Sequence, residues 1–431
     1  MQFRSRFFFF VFLCCWANGA WAGSVWSTWQ GNASHTGYVP SVLSPGDFHQ
    51  IWSKTIPRTN EQLFSAGGGL VFDYRRTRYD PPQELHAYDA RTGVEVWHKE
   101  VEDKPSSSAP AYANGVVYWT VSGTPGDPAK MYAIDAATGV ELFATPFGSQ
   151  GSTYGIPTPY ASKLYGNSGY FSGIRAFDGT KAQIDWSVTI DGQYGWSPAV
   201  DESHVYLYYG RGGAPGPGYG VFYAFDRLTG AIDYTIANHE SDNPTSDNYA
   251  SPLLGSLHDA FLLDANAYNF DNPLQLIRFD LDARDISWRI DGNFAEGMAL
   301  REQKLFVVNF GNLEVRDELT GNLLWSWPAS SADPIISNVI VTDSHAFVST
   351  SQRTFAIDLN THASAWQLGV GGRRLVMADN NLYIKGLDSK LGSTEHLVAI
   401  SVAVPEPGTW LLALVGSVGI GAVVRRARRR K

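Results

Sequence analysis

The sequence predicts an all-β chain folded as an eight-bladed β-propeller, with seven blades as the alternative and a C-terminal transmembrane helix beyond the ring. Three observations predict this. Residues 115–119 (Gly-Val-Val-Tyr-Trp), 204–209 (His-Val-Tyr-Leu-Tyr-Tyr), 304–308 (Lys-Leu-Phe-Val-Val) and 381–385 (Asn-Leu-Tyr-Ile-Lys) are short apolar and aromatic runs between turn signals, and no sustained 3.6-residue apolar period precedes the tail. Asp89, Asp135, Asp178, Asp226, Asp280, Asp317 and Asp358 are each followed eight positions later by an aromatic residue: Trp97, Phe143, Trp186, Tyr234, Trp288, Trp325 and Trp366. Successive Asp residues lie 46, 43, 48, 54, 37 and 41 positions apart, the length of a four-stranded blade.

The repeat has a physical reading. An Asp carboxylate accepts a hydrogen bond from a backbone N–H two residues on, and a glycine four residues after it closes the hairpin in the left-handed region. Gly93, Gly139, Gly230 and Gly321 stand at that position, in Asp-x-x-Thr-Gly. Ala182, Arg284 and His362 replace the glycine in the other copies, which predicts a looser turn or one of another type there. The aromatic then falls on the outgoing strand, placed to pack between blades.

Taken in order, the chain opens with Arg4 and Arg6, an apolar stretch from Phe7 to Trp16, and Ala20-Trp21-Ala22. That is the pattern of a signal peptide over 1–22, cut by signal peptidase between Ala22 and Gly23. Both cysteines, Cys14 and Cys15, lie within it, so the exported body relies on no disulfide. An unmatched strand at Ile51-Trp52-Ser53-Lys54 precedes the first repeat, and 374–401 supplies three strands without an outgoing aromatic one. Pairing the two closes the ring and removes both exposed edges. After 404, Pro405-Glu406-Pro407 leads into an apolar run from Thr409 to Val424 and a terminus with six cations, Arg425 to Lys431. Sixteen helical residues rise about 24 Å, enough to span with local thinning, and the cations hold that end inside.

Ala87-Tyr88-Asp89-Ala90-Arg91-Thr92-Gly93-Val94-Glu95-Val96-Trp97 resembles the repeat of the PQQ-like β-propeller family, and the segment from Trp29 to Tyr38 resembles its lead-in. The resemblance spans nearly all of 23–404. The tail resembles the PEP-CTERM sorting signal of Gram-negative, exopolysaccharide-producing bacteria, which implies removal by an exosortase. Quinone-dependent members of the propeller family carry a Ca²⁺ ion with carboxylate and amide ligands, a stacking Trp and often an adjacent-cysteine disulfide. The exported body has no cysteine, and no motif supplies the calcium ligands or a base, so pyrroloquinoline quinone is not expected.

Removing both terminal signals takes away eight of the 33 basic residues and one of the 42 acidic ones, leaving 25 against 41 and a net charge of −16. That excess excludes nucleic acid and anionic membrane as partners of the body. The ten histidines show no metal-ligand spacing in sequence, and no nucleophile elbow occurs. Gly210 to Gly220 reads as a long hairpin loop, not a phosphate cradle. Asp264, Asn266 and Asp271 are weak candidates for Ca²⁺, in a loop that fails the EF-hand pattern, and the acidic stretch from Glu240 to Asn248 is equally ambiguous. Tyr154, Tyr194, Trp196 and Tyr249 fall near inner strands, where rings can stack on sugars or fill the core. The expectation is a non-enzymatic, surface-sorted binding or scaffold module of the cell envelope or extracellular matrix, with a protein or polysaccharide ligand. The alternative is an enzyme, a reduced quinoprotein or a carbohydrate-active propeller.

Overall fold

The computed structural model describes residues 24–58, 63–77, 80–149, 155–167, 173–190, 197–209, 219–240, 251–264, 274–295, 297–387 and 394–402. Signal peptide 1–22, the Ala22/Gly23 junction, Pro405-Glu406-Pro407 and the apolar tail lie outside the described residues. Among those described, no helix is long and apolar enough to cross a membrane.

Thirty-two strands form eight antiparallel four-stranded sheets. Blades 1 to 7 are contiguous, at 64–101, 111–147, 158–188, 199–238, 253–292, 299–327 and 340–368. Blade 8 takes its first three strands from Arg374–Ala378, Asn381–Leu387 and Thr394–Ser401, and its outer strand from His49–Pro57 near the other end of the chain. Trp52 pairs with Ala399 and Lys54 with Leu397, so the ring closes as the unmatched strands required.

Each repeat Asp ends the third strand of its blade and each aromatic lies on the fourth. The aromatic stands opposite the residue two before the Asp, an alanine in five of the seven repeats (Ala87, Ala133, Ala176, Ala224, Ala356), whose small side chain leaves room for the ring. Trp52 opposite Ala399 completes the series in blade 8. Four of these rings bond to the next blade's turn. The indole N–H of Trp52 donates to the Ala90 carbonyl at 2.9 Å, Trp97 to Ala136 at 2.8 Å, Trp186 to Arg227 at 3.1 Å and Trp288 to Leu319 at 3.0 Å. Gly93 has φ +68°, and a Cβ there would sit 2.8 Å from the Trp52 ring, so glycine serves both the turn and the close approach.

At the Asp89 turn, Oδ1 accepts from the N–H groups of Arg91 and Thr92 and from the Thr92 hydroxyl. The hydroxyl bond holds the carboxyl below its usual range. The expectation of a different turn at Arg284 and His362 is corrected. Both residues adopt the left-handed conformation, at φ 55° and 56°, as the glycines do. Their side chains compensate by stacking on the preceding blade's aromatic: the Arg284 guanidinium lies 4.4 Å above Tyr234, and the His362 ring 4.2 Å from Trp325. Only at Ala182 does the turn differ, with the Gln183 N–H donating to the Lys181 carbonyl.

Candidate functional site

The inner strand of each blade presents unpaired backbone groups to the propeller axis, and a buried N–H without an acceptor costs stability. The lead-in supplies acceptors around the whole ring. The N–H of Asp379 in blade 8 donates to the Ser24 carbonyl, and Trp26 exchanges both backbone bonds with Ala66 of blade 1. Tyr112 of blade 2 donates to Ser27, and the Thr28 hydroxyl donates to the Pro157 carbonyl beside blade 3. Val200, Leu254, Leu300 and Val341, in blades 4 to 7, donate to Ala33, Ser34, Thr36 and Gly37 at 2.8–2.9 Å. Residues 24–37 therefore form a hub bonded to every blade in turn. The hub lies on the face that carries the Asp-x-x-Thr-Gly turns, since inner strands end there.

Gln30 and His35 fix the hub's interior. The Gln30 amide donates to the carbonyls of Met298 and Val339 and accepts from Asn338 Nδ2 at 2.9 Å. His35 is fully buried, with Nδ1 2.7 Å from the Pro252 carbonyl, and burial lowers its pKa to about 3. It is a neutral donor that shapes the loop. The Arg374 guanidinium lies 5.7 Å from the Trp29 ring centre. Two cavities flank Trp29, of about 20 Å³ and about 10 Å³, lined by groups such as Thr28, Asn338, Arg374, Ser251 and His35. Neither lining includes a carboxylate, and each has room for about one water. This part of the axis does not fit a quinone held by a carboxylate-bound Ca²⁺.

A larger hollow of about 240 Å³ opens on the hub face between blades 4, 5 and 6, lined in part by Ser34, Asp201, Ser256, His258 and Asp259. Asp259 is buried beside Gly255, next to the buried Glu318. Its Oδ2 accepts from Arg278 Nε at 2.6 Å, while Glu318 accepts the N–H and hydroxyl of Ser256 at 2.5 and 2.6 Å. Burial, reinforced by the Glu318 charge, pushes the Asp259 carboxyl up to about 6. Both carboxyls reach the same spot beside Gly255, where a Cβ would stand 1.9 Å from Asp259 Oδ1 and 2.6 Å from Glu318 Oε1. Sequence reasoning missed this pair. The available signal was Glu318 itself, a charge at the position after the repeat Asp, where Asp89 and Asp135 are followed by alanine.

Of the calcium candidates, Asp264 is buried and accepts from the Tyr208 hydroxyl at 3.1 Å and Asn238 Nδ2 at 2.9 Å. Asn266 and Asp271 lie outside the described residues, as do Tyr154, Tyr194, Trp196 and Tyr249, most of the Gly210–Gly220 loop and all but Glu240 of the acidic stretch. The histidines, scattered in sequence, are not all scattered in space. His86 and His98 face one another on the outer half of blade 1, with Glu95 between them.

Comparisons with known proteins agree with this architecture. Residues 81–254 match the family model for outer membrane protein assembly factor BamB, and residues 403–430 match the PEP-CTERM protein-sorting motif. No curated protein sequence matches the chain. Among solved structures, BamB from Moraxella catarrhalis superposes with a TM-score of 0.56 at 14% identity, covering 81% of this chain and 97% of its own. A europium-containing methanol dehydrogenase gives 0.65 at 13% identity, covering 88% and 98%, and the quinohemoprotein alcohol dehydrogenase of Comamonas testosteroni 0.63 at 15%, covering 89% and 82%. At these identities the likeness is one of fold. The chain folds as an eight-bladed β-propeller in which residues 81–254 match a PQQ-like repeat model and residues 403–430 match the PEP-CTERM sorting motif.

Proposed function

We propose that this protein is an exported propeller, sorted to the cell surface through its tail, that works as a binding or scaffold module of the cell envelope or extracellular matrix. The sorting motif implies processing by an exosortase. The observation that carries the binding reading is the hub. A segment bonded to all eight blades holds that face of the axis with hydroxyl, amide and neutral imidazole groups, the chemistry of a rigid frame more than of a reaction centre. The exported body's charge of −16 favours basic or cation-bridged ligands and disfavours other polyanions at low salt. A protein or polysaccharide of the envelope is the partner class this reading implies.

Two experiments test it. In the native host, Pro405→Ala with Glu406→Ala should leave an uncleaved, membrane-held form, while mass spectrometry of the wild type shows a C-terminus without Arg425 to Lys431. Wild-type protein that keeps those residues at the surface would refute sorting by removal of the tail. Co-sedimentation of the purified protein with the host's extracellular polysaccharide and envelope fractions tests binding, and recovery in neither fraction counts against the scaffold role. The dehydrogenase reading draws on the overlap with nearly the whole methanol dehydrogenase fold. Saturable binding of pyrroloquinoline quinone with Ca²⁺, together with dye-linked alcohol oxidation, would replace the binding reading with that one.

A further inference from the structure

The outer half of blade 1 gathers two imidazoles and a carboxylate that the fold does not require. His86 lies on the third strand, Asp80–Asp89, and Glu95 and His98 on the fourth, Glu95–Val101. His86 and His98 are direct cross-strand partners, so their side chains leave the same face of the sheet. In a regular strand Glu95, three residues from His98, would point to the other face. The register shift that pairs Ala87 with Trp97 but Tyr88 with Glu95 leaves Val96 unopposed, and this bulge returns Glu95 to the histidine side.

As a result His86 Nδ1 is 3.0 Å from Glu95 Oε2 and His98 Nδ1 is 3.1 Å from Glu95 Oε1, and the three ligand atoms lie within 4.8 Å of one another. One ion with ligand distances of about 2.0–2.2 Å reaches all three after small side-chain movements. Access is graded. His86 is buried, while the His98 side chain is 57% exposed and that of Glu95 33%, so an ion can enter from solvent and keep a water on its open side.

A second line of contacts already orients the deepest ligand. His86 Nε2 lies 2.9 Å from Glu84 Oε2, Arg75 Nη1 donates to that same oxygen at 3.2 Å, and Arg75 Nη2 donates to the Tyr88 hydroxyl at 3.2 Å. A carboxylate behind an imidazole orients the ring and holds its N–H on Nε2, which leaves Nδ1 for the metal. The Tyr88 ring lies parallel to His86, with 3° between the planes and 6.1 Å between centres, and limits its rotation.

The repeats provide an internal control. Where blade 1 has His86, the following six blades carry Tyr132, Arg175, Tyr223, Ile277, Glu314 and Phe355; where it has His98, they carry Ala144, Ser187, Thr235, Arg289, Ser326 and Gln367. Six blades form the same hairpin without either imidazole, so blade architecture does not explain the cluster.

We propose that His86, Glu95 and His98 form a binding site for one divalent transition-metal ion of the zinc class, with Glu84 as the residue that positions His86. Two imidazoles and a carboxylate without thiolate suit Zn²⁺ and its borderline neighbours over Mg²⁺ or Ca²⁺, which take oxygen ligands.

Chelator-treated protein is titrated with ZnCl₂ by calorimetry and with Co²⁺ by absorbance. One ion should bind per chain, and bound Co²⁺ should show the intense visible bands of a four-coordinate site. His98→Ala and Glu95→Gln should each weaken binding by roughly tenfold or more, and Glu84→Gln by about 10- to 100-fold through loss of orientation. His98 and Glu95 reach the surface, so both variants should keep the wild-type melting temperature without metal, and His49→Ala, at an exposed site elsewhere, should bind as wild type does. Absence of saturable Zn²⁺ binding, or binding that His98→Ala and Glu95→Gln leave unchanged, would overturn the assignment.

Discussion

Lys385→Met breaks a buried ion pair that, with the bond from Trp52 to Ala90, ties the last blade to the first. Lys385 Nζ lies 2.5 Å from Asp73 Oδ1 and 3.7 Å from Glu395 Oε2, and all three side chains are fully buried. Asp73 comes from blade 1 and Lys385 from blade 8, 312 positions apart in sequence, so this cation neutralises carboxylates from both sides of the seam. Among the described residues Oδ2 of Asp73 has no hydrogen-bond partner, which leaves the ammonium as the main compensation for that charge. Removing one partner of a buried pair costs about 3–5 kcal/mol, because the remaining charge stays desolvated. For a body of this size, with about 2.1 cal/mol/K of unfolding entropy per residue over 23–404, the melting temperature should fall by roughly 4–6 °C. The double variant Lys385→Met with Asp73→Leu should recover the part of the loss that comes from Asp73, while Glu395 stays buried without the ammonium. Urea unfolding followed by tryptophan fluorescence measures both. A single variant within about 1 kcal/mol of wild type, or a double variant no better than the single, would refute the seam's dependence on this pair.

Glu318→Gln should flatten the acid limb of stability. Asp259 holds its proton up to about pH 6 when folded, against an ordinary carboxyl value of 3.8, so the native state loses stability as pH rises between those values, by on the order of 2 kcal/mol after screening. With the neighbouring charge gone that slope should shrink and stability at neutral pH should rise; an unchanged profile of unfolding midpoint against pH would count against the coupling. Trp186→Ala removes a buried ring and its bond to the Arg227 carbonyl, and should cost about 3–5 kcal/mol in chemical unfolding. A loss under about 1 kcal/mol would mean that inter-blade docking there contributes little.

The blades were legible because each needs its own punctuation. Asp, Thr and Gly make a turn from local hydrogen bonds, and local chemistry can be read in a line of sequence. Trp52 was only half legible. It read as a strand without a repeat, because the residue that seats its ring, Ala399, lies at the far end of the chain. The turns at Arg284 and His362 were misjudged because the left-handed conformation they share with glycine is compensated by rings of the preceding blade, which no local rule contains. The lead-in's passage round the axis is made mostly of main-chain carbonyls, which carry no side-chain signature. His86 and His98 escaped a search by spacing because a bulge, and not a fixed interval, brings Glu95 to their side. The Asp259–Glu318 pair joins two blades whose facing positions are set only once the ring is complete.

The ring closure also has a mechanical meaning. The strand Thr394–Ser401 ends four residues before Pro405, so force along an anchored tail is delivered directly to it. That strand is not at an edge. It is paired along one side with His49–Pro57 and along the other with Asn381–Leu387. A pull along its axis shears both ladders together, and many hydrogen bonds must fail at once, whereas an edge strand peeled sideways yields one bond at a time. In the membrane-held form proposed above, the strand 49–57 would act as a clamp on the point of attachment. Cutting or displacing 49–57 should therefore lower the force at which the propeller is drawn open from its tail far more than it alters the other seven blades.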